Sequence, residues 1–399
     1  MSITKLKIIF YDFIGLCFIC FCMLSSIACS DRDNQQDTKS VKEVKNIQSK
    51  HEKPKTSNEL TLIMGGDALL HTAVYNDAKY ILEQTNNPKA KPIFSYEFSK
   101  MFLHIAPLIS QYDLAFYNQE TILGGKELGL SSYPAFNSPQ EFGDCMVKLG
   151  FNLVSLANNH TLDRGEKAIR NSLQYWSNKP VLVAGSYINL DERNTPRIYE
   201  KNGITYTLLA YTYGTNGIPI PKNKEYFVNV YSKEMLAKDI ANVRDKVDLL
   251  IVSMHWGNEY VFKPNKEQEE FAHYLASLGV DIVIGNHPHV IQPIEWINNT
   301  LVIYSLGNMI SAQTGLEKRI GMFAGVKIKK DNISNKISLH DLHTHLTYNY
   351  YDKQKRNFSI YPFTQLNEKI LPNYKQIYEK YLKIVTQRDK TNSIRTIPL

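Results

Sequence analysis

The sequence predicts an α/β protein whose sheet is buried under helices. Two observations carry this. Short aliphatic, β-branched runs such as LTLIMG (Leu60–Gly65), DLLIVSM (Asp248–Met254) and VDIVIG (Val280–Gly285) alternate with stretches of helical apolar spacing. Chemistry-bearing residues then follow those runs directly, in HWGNEY (His255–Tyr260), GNHPHV (Gly285–Val290) and LANNHTLDRG (Leu156–Gly165). Open α/β sheets hold their ligand sites at that carboxyl edge.

Taken in order, Leu60–Gly65 reads as a buried strand, Phe94–Gln111 as a helix and Asp113–Tyr117 as a strand. Ser138-Pro139 reads as the N-cap and first-turn proline of a helix that Gly150 closes. Phe151–Leu156 is a strand, Asp163–Ser177 a helix, and Val181–Ala184 and Ile204–Tyr211 are strands. Ser232–Asp245 is a helix, Asp248–Met254 a strand, Glu267–Ser277 a helix, and Val280–Gly285 and Leu301–Leu306 are strands. Met322–Lys329 and Lys336–Thr344 read as edge or hairpin strands, and Leu366–Thr386 as an amphipathic helix docking on the body.

The ends differ from this body. Lys5 and Lys7 precede an apolar run, Phe13–Met23, that ends in small residues before Cys29. Such a segment is a secretory signal, and Ser-Ile-Ala-Cys resembles a lipoprotein cleavage site, with Ser26 where Leu is usual. The alternative is an uncleaved membrane anchor. Residues 1–29 are therefore expected as the leader and 30–58 as a polar tether without a core, followed by a domain at 59–330 and a C-terminal extension at 331–399. Either form of the leader places the body outside the cytoplasm, attached to a membrane. Four of the five cysteines fall in the leader, so no disulfide framework is expected, and Cys145 reads as a small core residue. The 399 residues carry a net charge of +7 without a basic stripe interleaved with aromatics, which argues against nucleic acid as a partner.

Asp67, Asn118, Glu120, Asn159, His160, His255, His287 and His289 all stand near predicted strand ends. Mixed carboxylate, carboxamide and imidazole donors suit Mn, Zn or Fe(II). The set is too large for one tetrahedral site and right for two divalent ions, which can activate water and clamp an in-line displacement at phosphorus. Asp163 is expected either to orient His160 or to serve as an N-terminal helix charge. Arg164 reads either as a binder of an anionic substrate or as a solvent-facing cation. Asn118, Asn308 and Tyr304 are expected at the cleft. The HDLHTH tract (His340, His343, His345) reads as an exposed strand face.

Several pieces together resemble one family. GGDALLH, YNQET, FNSPQEFGDCMVKLGFNLVSLANNHTLDRG, SMHWGNEYVFKPNKEQEEFAHYLASLGVDIVIGNHPHVIQPIE and VIYSLGNMISAQ look like the CapA family of capsule or poly-γ-glutamate synthesis proteins, within the calcineurin-like metallophosphoesterase superfamily. The resemblance implies a four-layer α/β/β/α sandwich with mixed sheets. It also implies a dinuclear centre ligated by Asp67, Glu120, Asn159, His255, His287 and His289, with His160 as general acid. Three features depart from the superfamily pattern: Leu69 stands where a His is usual, His71 being the nearest; the bridging acid is Glu120 rather than Asp; and Asn286 stands where a small or basic residue is more usual before HPH.

Two functions are therefore expected as alternatives. One is an extracytoplasmic metal-dependent hydrolase acting on a phosphoester or an anionic polymer. The other is a non-catalytic accessory protein for polymer synthesis, export or anchoring, working with polymer synthetase subunits. A secreted nucleotidase would need a base-stacking second domain, and none is apparent.

Overall fold

The computed structural model describes residues 58–83 and 92–399. Its strands, in chain order, are β1 (Glu59–Leu69), β2 (Lys79–Glu83), β3 (Ile93–Tyr96), β4 (Leu114–Gln119), β5 (Leu153–Ser155), β6 (Leu182–Ala184), β7 (Tyr199–Lys201), β8 (Ile204–Thr212) and β9 (Leu249–His255). They continue with β10 (Ile282–Asn286), β11 (Ile294–Ile297), β12 (Thr300–Ile303), β13 (Asn308–Ser311), β14 (Ile320–Lys330), β15 (Ile337–Tyr350), β16 (Ser359–Pro362) and β17 (Arg395–Thr396).

One mixed sheet runs β16-β15-β14-β1-β4-β5-β6, with β13 also pairing β1 and β17 pairing β15. The other runs β11-β12-β10-β9-β8-β7. The strands that carry the site are parallel in both: β1-β4-β5-β6 in the first and β8-β9-β10-β12 in the second.

Side-chain alternation sorts these strands into layers. Leu60, Leu62 and Met64 of β1 share one buried cluster with Leu208, Ile251, Ile284 and Ile303 of the second sheet. Ile63, Ala115, Tyr117 and Val154 instead join Phe142 and Met146 of the helix Glu141–Leu149 and Ile169 and Trp176 of the helix Gly165–Ser177. On the far side Leu250, Val252 and Val283 pack with Leu236 and Ile240 of Lys233–Val243 and Leu275 of Lys266–Ser277. The result is helix, sheet, sheet, helix, the four-layer sandwich expected. Each aliphatic side chain buried between layers contributes about 1.5–3 kcal/mol. The C-terminal helix, Tyr374–Thr386, sends Tyr378, Tyr381 and Val385 into the cluster between the sheets.

Local signals set several helix ends. Ser232 accepts from Met235 N–H at 3.1 Å, and Asn265 with Gln268 forms a reciprocal capping box. Gly150 stops its helix at φ 109°.

Other expectations fail for identifiable reasons. Phe94–Gln111 is not one helix: β3 pairs with β2 as a hairpin, and only a 3₁₀ turn (Ser99–Phe102) and one helical turn (Ala106–Ile109) follow. Ser138 does not cap, because its hydroxyl donates to Thr121 Oγ1 at 2.8 Å, and the helix starts at Glu141. The C-terminal helix starts at Tyr374, after Pro372 and Asn373 at φ 59°, rather than at Leu366. Residue 330 lies at the turn of the β14–β15 hairpin, so β15 to β17 are strands of the first sheet itself. The expected leader, the lipidation site Cys29 and nearly all of the tether lie outside the described residues. No helix among the described residues is long and apolar enough to cross a membrane. Cys145 is buried as expected, and burial pushes its thiol up to about 12.

Candidate metal centre

The parallel strands of both sheets end at one rim, and the site is assembled there. In β1 the register shifts between Met64 and Asp67, and Asp67 N–H donates to Gly307 O at 3.0 Å. Gly66 permits this approach, since a Cβ there would lie 1.9 Å from Gly307 O. Asp67 is thereby set between Asn118 of β4 and Asn308 of β13. In the second sheet His255, the last residue of β9, lies between Thr212 of β8 and Asn286 of β10. Asp67 and Asn118 thus lie within strands rather than past them. Glu120 follows β4 directly, and Asn159 and His160 occupy the turn after β5.

The groups converge and are deeply buried. Asn118 Nδ2 donates to Asp67 Oδ1 at 2.8 Å and lies 3.3 Å from His255 Nδ1. His255 Nε2 is 2.9 Å from Asn159 Oδ1 and 3.7 Å from Glu120 Oε1. His289 stands between two acids, with Nδ1 3.5 Å from Asp67 Oδ2 and Nε2 3.6 Å from Glu120 Oε1. Asn308 Oδ1 is 3.0 Å from His289 Nδ1, and His287 N–H donates to Asp67 Oδ2 at 3.1 Å. His287 and His289 adopt φ 95° and 56°, a conformation that costs non-glycine residues about 1–3 kcal/mol and gathers at functional sites.

These residues fit divalent metal ions. Asp67, Glu120 and His255 are fully buried. Both oxygens of Glu120, Asn118 Oδ1 and His287 Nδ1 have no hydrogen-bond partner. A buried carboxylate without a donor is costly unless a cation meets it. Donor atoms of Asp67, Glu120 and His289 lie within 4.8 Å of one another, as do those of Glu120, His255 and His287. Glu120 belongs to both groups.

Charge follows position. Burial, with His287 and His289 nearby, holds His255 well below the usual imidazole range. Burial and His289 lower His287 to about 3. Both imidazoles are therefore neutral, the state a ligand requires. Burial also acts to lower His289, but the Glu120 and Asp67 carboxylates outweigh it and hold it up at about 9. Burial raises Glu120 above the usual carboxylate range against the pull of His289, and the Asp67 charge adds to the rise.

His160 lies beside this group. Its Nδ1 is 2.7 Å from Asp163 Oδ2, which also accepts from Phe136 N–H at 2.8 Å, and its ring meets Phe136 edge-on at 4.8 Å. The Asp163 side chain is 1% exposed, so the pair with His160 is shielded from solvent. Arg164 is not directed at a ligand: its guanidinium donates to Leu128 O at 2.8 Å, Gly129 O at 3.2 Å and the Ser131 hydroxyl, holding the 128–131 loop. Tyr304 also turns away from the rim, donating to Glu295 Oε2 at 3.1 Å. Of the three histidines in the HDLHTH tract only His340 is exposed; His343 is buried against the Tyr112 hydroxyl, 2.6 Å away.

Two further residues border the centre. Tyr213 packs over His287 with ring centroids 4.7 Å apart. Glu259, in HWGNEY, lies within ligand distance of His287 and His289. The only sequence signal for Glu259 was its place four residues after His255 in a loop that tertiary contacts orient.

A family model described as bacterial capsule synthesis protein PGA_cap matches residues 61–313, more than half of the 399. The chain belongs to this family. The PGA_cap match contains every residue of the centre, from Asp67 to Asn308. Among curated relatives, the PGA biosynthesis protein CapA of Bacillus subtilis is 30% identical over 46% of this chain and 48% of its own length. The capsule biosynthesis protein CapA of Bacillus anthracis is 25% identical over 65% and 62%. A Mycobacterium tuberculosis protein named "Probable polyglutamine synthesis accessory protein" is 24% identical over 41% and 46%. The chain spans between about half and three-fifths of these relatives. A 5'-nucleotidase structure from Candida albicans aligns with 82% of this chain and 58% of its own, at 12% identity and a TM-score of 0.39. The fold assignment rests on the four layers and not on that likeness.

Proposed function

We propose that this PGA_cap protein is a membrane-anchored, extracytoplasmic, metal-dependent hydrolase that serves capsule or poly-γ-glutamate synthesis, acting on an anionic polymer or a phosphoester. The observation that carries the reading is Glu120. It is a fully buried carboxylate with both oxygens unpartnered, shared between two groups of candidate ligands. The basic, apolar leader supports the location, and the family supports the polymer.

Asp67, Glu120 and His289 would hold one ion, and Glu120, His255 and His287 with Asn159 a second. Divalent ions bound there would activate a water and polarise the scissile bond. The protein's own part is proton transfer and orientation. Asp163 accepts from His160 Nδ1, which fixes the tautomer and leaves Nε2 to protonate the leaving oxygen. The same carboxylate stabilises the imidazolium before it gives up that proton. Phe136 holds Asp163 by its backbone N–H and the His160 ring by its own edge.

The test is elemental analysis of the purified full-length chain, with bis-p-nitrophenyl phosphate turnover in added Mn. About two metals per chain are expected. His160→Ala should keep the metal and lose turnover by about 10²–10⁴-fold. A folded protein with neither metal nor turnover would sink the hydrolase. It would leave the second reading, a polymer-synthesis accessory protein, which the name of the Mycobacterium tuberculosis relative favours.

A further inference from the structure

Glu259 stands apart from the other acids of the centre. Asp67 and Glu120 are fully buried, whereas Glu259 is exposed. Its carboxylate nevertheless lies with His287 and His289 so that one donor atom of each falls within 4.8 Å of the others. Glu120 is enclosed among His255, His287 and His289, and Glu259 meets His287 and His289 from the solvent side.

The turn that presents Glu259 is pinned on both flanks. Tyr260 N–H donates to Pro288 O at 2.7 Å, tying this turn to the one that carries His287 and His289. Tyr260 sits at φ 65°, its hydroxyl accepts from Gln313 Nε2 at 3.2 Å, and Lys318 Nζ lies 4.6 Å from its ring centroid. On the other flank, Gly257 is at φ 88°, and a Cβ there would meet the Gln268 amide at 2.5 Å. Gln268 is itself held by Asn265 and by Gln292 at 2.8 Å. The turn that carries Glu259 is therefore set by the fold on both sides of it.

Resting on the metal-dependent reading above, we propose that Glu259 is a further, solvent-reachable ligand at the mouth of the centre, and that it occupies the position an acidic group of the substrate takes. An aliphatic carboxylate is the group a polyglutamate chain presents at every residue. The protein thus carries its own displaceable copy of that group, and an acidic substrate enters by exchanging with it. Carboxylates are selected because the same oxygens and charge serve in both. A neutral polymer has nothing to exchange.

The experiment uses the full-length chain with Mn(II) as the metal probe and glutarate as the carboxylate probe, both followed by calorimetry and the Mn spin-resonance signal. Glu259→Gln should weaken Mn binding by about tenfold, the lower end of what losing a group that supports a metal site costs. In the Mn-loaded protein the same change should tighten glutarate binding by about tenfold, since the competing carboxylate is gone. Glu259→Asp should fall between, and it decides the matter if the Gln variant does not fold. Wild-type affinity for both probes in the variants overturns the inference while leaving the metal centre intact. Failure of the wild-type protein to bind Mn at all overturns the metal reading and this inference with it.

Discussion

Two regions of this fold bury charge, and they do so in opposite ways. Arg193 and Asp239 face each other with side chains 12% exposed, joined by contacts of 2.5 and 3.1 Å, and the Tyr211 hydroxyl adds a third bond to Asp239 at 2.9 Å. Every charge there has its opposite, in bidentate geometry. At the rim Glu120 is more deeply buried, yet neither of its oxygens has a hydrogen-bond partner. The first arrangement is complete within the chain; the second leaves buried oxygens that a cation from outside would satisfy. Burial alone does not mark a functional acid. Burial without a partner is what makes Glu120 a candidate metal ligand.

Metal removal should give the largest effect. An ion held by these residues would bind only the folded rim, and at a thousandfold excess over Kd it would stabilise by about 4 kcal/mol. Adding a chelator should lower Tm correspondingly, and Glu120→Gln should abolish the difference between loaded and chelated samples. A Tm indifferent to chelator in a metal-containing sample would break the comparison.

Breaking the self-contained pair is the next test. Asp239→Ala leaves Arg193 without its carboxylate and should cost about 3 kcal/mol in denaturant unfolding. Glu120→Gln in metal-free protein removes a buried acid that has no hydrogen-bond partner, and should change stability by less than about 1 kcal/mol or raise it. If the two substitutions cost the same, the distinction between the regions fails.

The smallest effect concerns a third, half-buried group. His345 is held down to about 4 by burial, with His343 and Arg395 adding to it. A histidine lowered on folding takes up its proton more readily when unfolded. Its contribution is therefore intact above about 6.5 and is lost as pH falls from there towards 4. His345→Gln should remove that part of the acid-side decline, read as Tm against pH; a decline of unchanged steepness would assign it elsewhere.

Much of this was legible in the sequence, and the failures have a common cause. Strands such as Leu249–His255 and Ile282–Asn286 are apolar on both faces because helices cover one side and a second sheet the other. Asp67, Glu120, Asn159, His255, His287 and His289 could be collected in advance because parallel strands deliver their ends to one rim. The role of Arg164 is not legible locally, because its partners, Leu128 to Ser131, are more than thirty residues away. Glu259 was missed because a bond to Pro288, in another loop, orients its turn. The β2–β3 hairpin escaped notice because its apolar residues, Tyr80, Ile81 and Ile93 among them, are substantially exposed, so neither strand shows a core-facing alternation.

One feature of the rim reaches beyond chemistry. Asn118 in the first sheet touches His255 in the second, and Asp67 in the first accepts the backbone N–H of His287 beyond the second. The donor set therefore exists only where the two sheets have come together. An ion seated there works as a rivet through both plates, and its affinity is a gauge of how firmly they are joined. Any substitution in the apolar layer between the sheets, however far from the rim, should register as a change in metal affinity before it registers as unfolding.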